Sequence, residues 1–224
     1  MTEFTSSLKR QITDDWAGMF PTLGVYKPMW LLRRVGPIVE GICLNRDSSN
    51  ARYQPIFHVH NLAKIDSSLS LTLADELRTV RNNTPEKIKV AFHKDHYADA
   101  ARRLNGQALL PVSGDLRVEE IIKAYSDYME RPLSKYPILL YEDVIMILVW
   151  CGRSSEAREA LVRFERELAA WPESISALQR VGGGRAWLAK CEGWIEQPDG
   201  IRVTVEEQTV FHGLEKLPRA QLIS

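Results

Sequence analysis

The chain reads as an α+β protein: a small antiparallel sheet with an N-terminal helix, followed by a helical C-terminal half that contains an αα-hairpin. Three observations predict this. Apolar residues recur every four positions over 4–20. They then fall into short β-prone runs between Gly, Pro and Ser turns over 29–73, and from 118 onward they return to a 3.6-residue period.

Phe4, Leu8, Ile12 and Trp16 stand about one turn apart with Lys, Arg, Gln and Asp between them, an amphipathic helix that Pro21 stops. MWLLRR and IVEGICLNR, separated by Val35-Gly36-Pro37, predict a hairpin, and the polar DSSN stretch after it predicts a loop. In the run that follows, Tyr53, Pro55, Phe57 and Val59 take one face, and Gln54, Ile56, His58 and His60 the other. Pro55 has no amide hydrogen to give a ladder, which predicts a sheet edge or a bulge there. LSLTL from Leu69 continues the alternation as a further strand. A helix starts near Lys87 or Asp95 and closes at Asn105-Gly106.

QALLPVSGD, after Gly106, carries Pro and Gly without periodicity, so the domain junction is placed there: residues 1–112 form an α+β subdomain and 113–224 a mainly helical one. The first half carries net charge +4 and the second −4. Val118, Ile121, Ile122, Tyr125 and Met129 make a helical stripe. Residues 136–150 are apolar nearly all round, interrupted only by Glu142-Asp143, the pattern of a central buried helix. Cys151-Gly152-Arg153 then makes a tight turn, with Ser154 or Ser155 expected to cap the next helix. VWCGRSSEAREALVRFERE resembles the helix-turn-helix of tetratricopeptide-type repeats, but no second copy recurs, so it is read as one αα-hairpin. A helix over 174–194 is broken by Gly182-Gly183-Gly184, and IRVTV after Gly200 adds a strand or a short last helix.

The composition, 45% hydrophobic and 26% charged with 29 basic against 29 acidic residues, excludes collagenous and mostly disordered chains. It gives no support to direct nucleic-acid binding, because no basic stripe interleaved with aromatics forms. Three well-separated cysteines, the absence of an apolar leader in MTEFTSSLKRQITDDW, and a longest apolar run of eight residues (144–151) point to a cytoplasmic protein with no membrane span. No G-x-S-x-G elbow or catalytic-cysteine signature is present. The Gly182-Gly183-Gly184-Arg185 run lacks the spacing of a phosphate-binding loop.

Two constellations remain. His58/His60 on a strand and His93/His96 on a helix each have metal-ligand spacing, and four imidazoles converging on one ion would suit a metal-dependent hydrolase. Against this stands an aromatic-rich chain with six Trp and seven Tyr, of which Trp30, Tyr53 and Trp194 are candidate partner-binding anchors. Glu142 and Asp143 join them as charges in an apolar helix, where Arg153 or Arg185 is expected to neutralise them.

The stretch FPTLGVYKPMWLLRRVGPIVEGICLNRDSSNARYQPIFHVHNLA, with its R-x-G-P hairpin and Y-x-P strand, resembles the α+β cores of bacterial toxin-immunity proteins. The likeness is one of organisation over roughly the first third of the chain, and it transfers no individual residues. It implies a non-catalytic protein, without cofactor, that binds another protein and neutralises a cognate toxin by covering its active site. The metal-dependent hydrolase is the alternative.

Overall fold

In the computed structural model, which describes residues 4–48, 51–131 and 136–224, the first apolar stripe forms helix α1 (Ser6–Met19). The Thr5 hydroxyl caps it by accepting the Leu8 amide at 3.2 Å, and Ile12 and Trp16 are its buried anchors.

The strands follow in chain order: β1 (Gly24–Lys27), β2 (Trp30–Val35), β3 (Ile38–Arg46), β4 (Arg52–Asn61), β5 (Thr72–Glu76) and a short β6 (Ile88–Lys89). The first five lie side by side in that order as an antiparallel sheet. The expected hairpin is β2–β3, turned by Gly36 at φ 55°. Within it Gly41 faces Leu32 across the ladder. A Cβ at 41 would stand 2.0 Å from the Leu31 carbonyl oxygen, so glycine is what allows the two strands to meet. At the β1–β2 turn Met29 takes a positive φ of 71°, and its amide donates to the Thr13 hydroxyl of α1 at 2.8 Å. Of the DSSN loop, Ser49 and Asn50 lie outside the described residues.

Pro55 corrects an expectation. Its strand β4 has neighbours on both sides and is not an edge, and Pro55 sits where the partner changes, after Tyr53 pairs with β6 and before Ile56 pairs with β5. The missing amide hydrogen therefore falls in a gap of the ladder, while the Pro55 carbonyl accepts the Leu77 amide at 2.9 Å. Helix α2 (His93–Gln107) packs on α1, running past the expected stop at Asn105-Gly106.

The second half supplies β7 (Leu116–Arg117), then α3 (Val118–Met129), α4 (Ile138–Trp150), α5 (Ser154–Leu168), α6 (Ser176–Arg180), α7 (Gly184–Glu196) and α8 (Pro198–Phe211), with β8 (Arg219–Ala220) and β9 (Leu222–Ile223) at the end. IRVTV is helical, not a strand: Pro198 at the first helical position and Asp199 in the first turn start α8 ahead of it. α4 is buried on nearly every side because α3, α5, α7 and α8 all pack on it. Gly152 (φ 76°) ends α4, and the Arg153 amide closes back on the Leu148 carbonyl. The serine cap expected at 154–155 is not used; Arg153 stands at the N-cap of α5 and its side chain makes no capping bond.

Two compact units result, and neither is contiguous. One comprises Met1–His60, Ser68–Leu116 and Gly213–Ile223, the sheet with α1 and α2; the other comprises Asn61–Ser67 and Arg117–His212, the helices with one short loop. In the sheet unit β8 runs parallel to β2, with Arg219 opposite Arg34. In the helical unit Tyr141 stacks on Phe164 at 3.9 Å between ring centroids, with Trp171 and Trp187 beside Tyr141. No helix among the described residues is long and apolar enough to cross a membrane.

Candidate functional site

The histidines do not assemble as the hydrolase reading requires. His58 and His60 share a face of β4, but each is engaged in the sheet unit. The Trp30 indole donates to His58 Nε2 at 2.6 Å, which leaves the imidazole proton on Nδ1. Burial, with His60 nearby, pushes the His58 pKa down to about 3. His60 Nδ1 accepts the Ser70 amide at 2.9 Å and meets the Ser70 hydroxyl at 2.8 Å.

His93 lies elsewhere, on α2. Its Nδ1 meets the Tyr53 hydroxyl at 2.7 Å and its Nε2 meets Asp15 of α1 at 2.9 Å, while Lys94 also holds Asp15. Trp16 donates to the Tyr53 oxygen at 3.2 Å, which completes a line of hydrogen bonds joining α1, β4 and α2. His96 is exposed, edge-on to Phe92. Among the described residues no three His, Cys, Asp or Glu side chains form a group that could hold a metal ion. The four-histidine centre is therefore not formed among the described residues: His58 and His60 share a strand face, while His93 is buried on Tyr53 and Asp15 and His96 is exposed beside Phe92.

The same line of bonds corrects Tyr53 as a partner anchor. Its ring is fully buried and its hydroxyl is spent on Trp16 and His93, so it belongs to the core. Trp30 is half-buried, with Lys27 Nζ 4.1 Å over its ring and its indole hydrogen given to His58. Burial pushes up all three thiols, Cys43 and Cys151 to about 11 and Cys191 to about 12, so none is a thiolate at neutral pH.

Of the remaining candidates, Trp194 and Glu142 line a groove of about 670 Å³ in the helical unit, and Asp143 lies buried behind it, bound to the groove residue Lys64. The groove walls follow from helical spacing. Leu139, Glu142 and Met146 are three and four residues apart on α4; Ala189, Lys190, Gly193 and Trp194 share a face of α7; Gly200, Ile201 and Thr204 line it from α8. Small residues at 189, 193 and 200 leave the space open.

The fourth wall is the 61–67 loop, which is fastened at both ends. Asn61 accepts the Ala63 amide and donates to Asp143, and the Asp66 amide donates to Gln208 of α8 at 3.0 Å. Held in this way, the loop presents Ile65 at the groove with 81% of its surface exposed, beside Leu139 at 55%. Together with the half-buried Trp194 they give the groove an apolar edge.

Beneath the apolar rim lies a charged floor. Lys64 reaches Asp143 at 2.7 Å, Glu142 at 3.7 Å and the Leu139 carbonyl at 2.7 Å. Lys190 pairs with the other Glu142 oxygen at 3.2 Å while lying 4.8 Å over the Trp194 ring. The neighbouring Tyr125 phenol is held well above its ordinary value by burial first and by the Asp143 charge second.

The cations expected on the two acids were Arg153 and Arg185, and neither takes that part. Arg153 is bound to Glu119 and Glu156, and Arg185 is exposed. Sequence reasoning missed Lys64, Lys190, Ile65 and Leu139. The i, i+4 spacing of Lys190 and Trp194 was a usable signal for one of them; Lys64 comes from a distant loop that no local pattern connects to α4. Comparison with protein-family models, with curated proteins and with solved structures finds no match to this chain.

Proposed function

We propose that this chain acts by binding another protein through the groove of its helical unit, and that the partner is a toxin whose active site it covers. The observation that supports the reading is the groove rim. Ile65, Leu139 and Trp194 offer apolar and aromatic contact around a charge-compensated floor, so a partner finds both an aromatic anchor and a fixed set of charges there. The toxin as partner rests on the resemblance of the first third of the chain to immunity proteins. Covering an active site needs no chemistry from the inhibitor, only a patch of at least about 1,000 Å² in total buried surface.

The test is affinity capture from the native cells with the parent chain and with Ile65→Asp, a loop substitution on an exposed side chain that leaves the melting temperature unchanged. The reading holds if one stoichiometric protein is retained by the parent, lost by Ile65→Asp, and toxic when expressed without this chain. Recovery of no stoichiometric partner, or of a partner that Ile65→Asp retains equally, overturns it.

A further inference from the structure

The groove is built around a cation, and the protein fills that position with its own lysine. Lys190 lies over the face of Trp194 with its ammonium on buried Glu142, yet the lysine is 51% exposed, whereas the carboxylate beneath it is 5% exposed. Lys64 already occupies the other side of Glu142, and Asp143 is held by Lys64 and the Asn61 amide. Lys190 is thus the exchangeable member of the cluster: a surface side chain tethered by one long ion pair and one ring contact, either of which an incoming cation can supply.

The surroundings select the sign of the visitor. Along α7 and α8 the exposed charges are acidic on balance, Glu192, Glu196, Asp199, Glu206 and Glu207 against Arg185, Arg202 and Lys190 itself. Glu196 and Glu207 stand three residues beyond Gly193 and Thr204, past the ends of the groove lining itself. A field of that sign draws a basic partner and repels an acidic one.

We propose that the groove accepts an arginine side chain of the partner protein, which displaces Lys190, stacks on Trp194 and pairs with Glu142, while apolar residues flanking that arginine cover Ile65 and Leu139. The planar guanidinium suits the position better than an ammonium because it can lie flat on the indole and still direct two N–H groups at the carboxylate. This deepens the protein-binding reading and rests on it for the identity of the partner.

The experiment uses the full chain with N-acetylarginine amide as probe, followed through the backbone amide resonances of the groove-lining Gly193 and Ile65 and by isothermal titration calorimetry. The parent chain gives a weak saturable shift. Lys190→Ala, which removes the resident cation, binds the probe about tenfold more tightly, and Trp194→Leu in that background abolishes the response while circular dichroism shows the fold intact. N-acetylnorleucine amide and N-acetylglutamate amide give no saturable shift. No saturable response to the arginine probe in either chain, or an equal response to the norleucine probe, overturns the proposal. Its failure is separable from that of the protein-binding reading: a captured partner that Ile65→Asp releases, together with silence towards the arginine probe, leaves the groove a binding site and removes the arginine from it.

Discussion

Each unit contains a buried pairing of basic and acidic side chains, and the two differ in what closes them. In the sheet unit Arg33 and Glu40 face each other across β2 and β3, 2.6 Å apart and 2% and 0% exposed. Two further Arg33 N–H groups go to the Gly114 and Pro111 carbonyls, so the guanidinium is held by groups of the unit itself. In the helical unit Glu142 and Asp143 are as deeply buried, but one of their cations, Lys190, stands half in solvent at the edge of a groove. A pair enclosed on all sides ties backbone segments together and is out of a visitor's reach; a pair with one cation at the surface leaves a position where a partner's group can substitute.

The sharpest break of this contrast is Glu40→Ala. It leaves a guanidinium buried against two carbonyls with no counter-charge, and the expected cost is about 3–5 kcal/mol, read as a fall in the urea midpoint with unchanged m-value. The double variant Arg33→Met/Glu40→Leu regains most of that loss, since an apolar pair of similar volume needs no compensation. If the single variant costs less than about 1 kcal/mol, the pair is not the closed lock described. In the helical unit Lys64→Met is the matching deletion. It strips Asp143 of its ammonium and leaves only the Asn61 amide, at an expected cost of about 2–3 kcal/mol.

The two units also differ in how legible they were. The fold class, the β2–β3 hairpin, the buried α4 and the glycine break before α7 could be read because periodicity and turn residues are local signals. The site could be read only in fragments. Trp194 and the Glu142-Asp143 interruption stood out in sequence, and the i, i+4 step from Lys190 to Trp194 was available. Lys64 was not, because an ion pair between a loop and a helix nearly eighty residues away is fixed by tertiary packing. The same limit undid the four histidines and Tyr53: local spacing shows which side chains share a face, and says nothing of what that face meets.

Acid titration separates the sheet unit's own groups. The His58 imidazole is held down to about 3 in the folded chain, against an ordinary value near 6.5, so the unfolded chain binds the extra proton as the pH falls below 6.5. Stability from this residue is complete above that pH and is lost on acidification, by at most about 1.4 kcal/mol per pH unit. Glu40 runs the other way. Burial raises its carboxyl to about 7 in spite of Arg33, so the folded chain holds the proton that the unfolded one releases, and stability rises as the pH falls from 7 to 4.5. His58→Gln, whose amide oxygen can still accept the Trp30 indole hydrogen, isolates the first effect. The gap between parent and variant melting free energies narrows steadily from pH 6.5 downward, and a gap that stays constant to pH 4.5 refutes a neutral buried His58.

The smallest expected effect is the most telling for the groove. Lys190→Ala removes a half-exposed ammonium whose ion pair is 3.2 Å long and whose side chain otherwise covers an indole face. Glu142 keeps Lys64 on its other oxygen, so no buried charge is stranded, and the cost falls in the range of a surface pair, about 0.5 kcal/mol. Chemical denaturation of Lys64→Met and Lys190→Ala side by side makes the comparison directly. A several-fold larger loss for Lys64→Met marks Lys190 as the replaceable cation. Equal losses would mean that both lysines lock the floor as firmly as Arg33 locks the sheet, and the groove would then have no vacancy to offer a partner without unfolding cost.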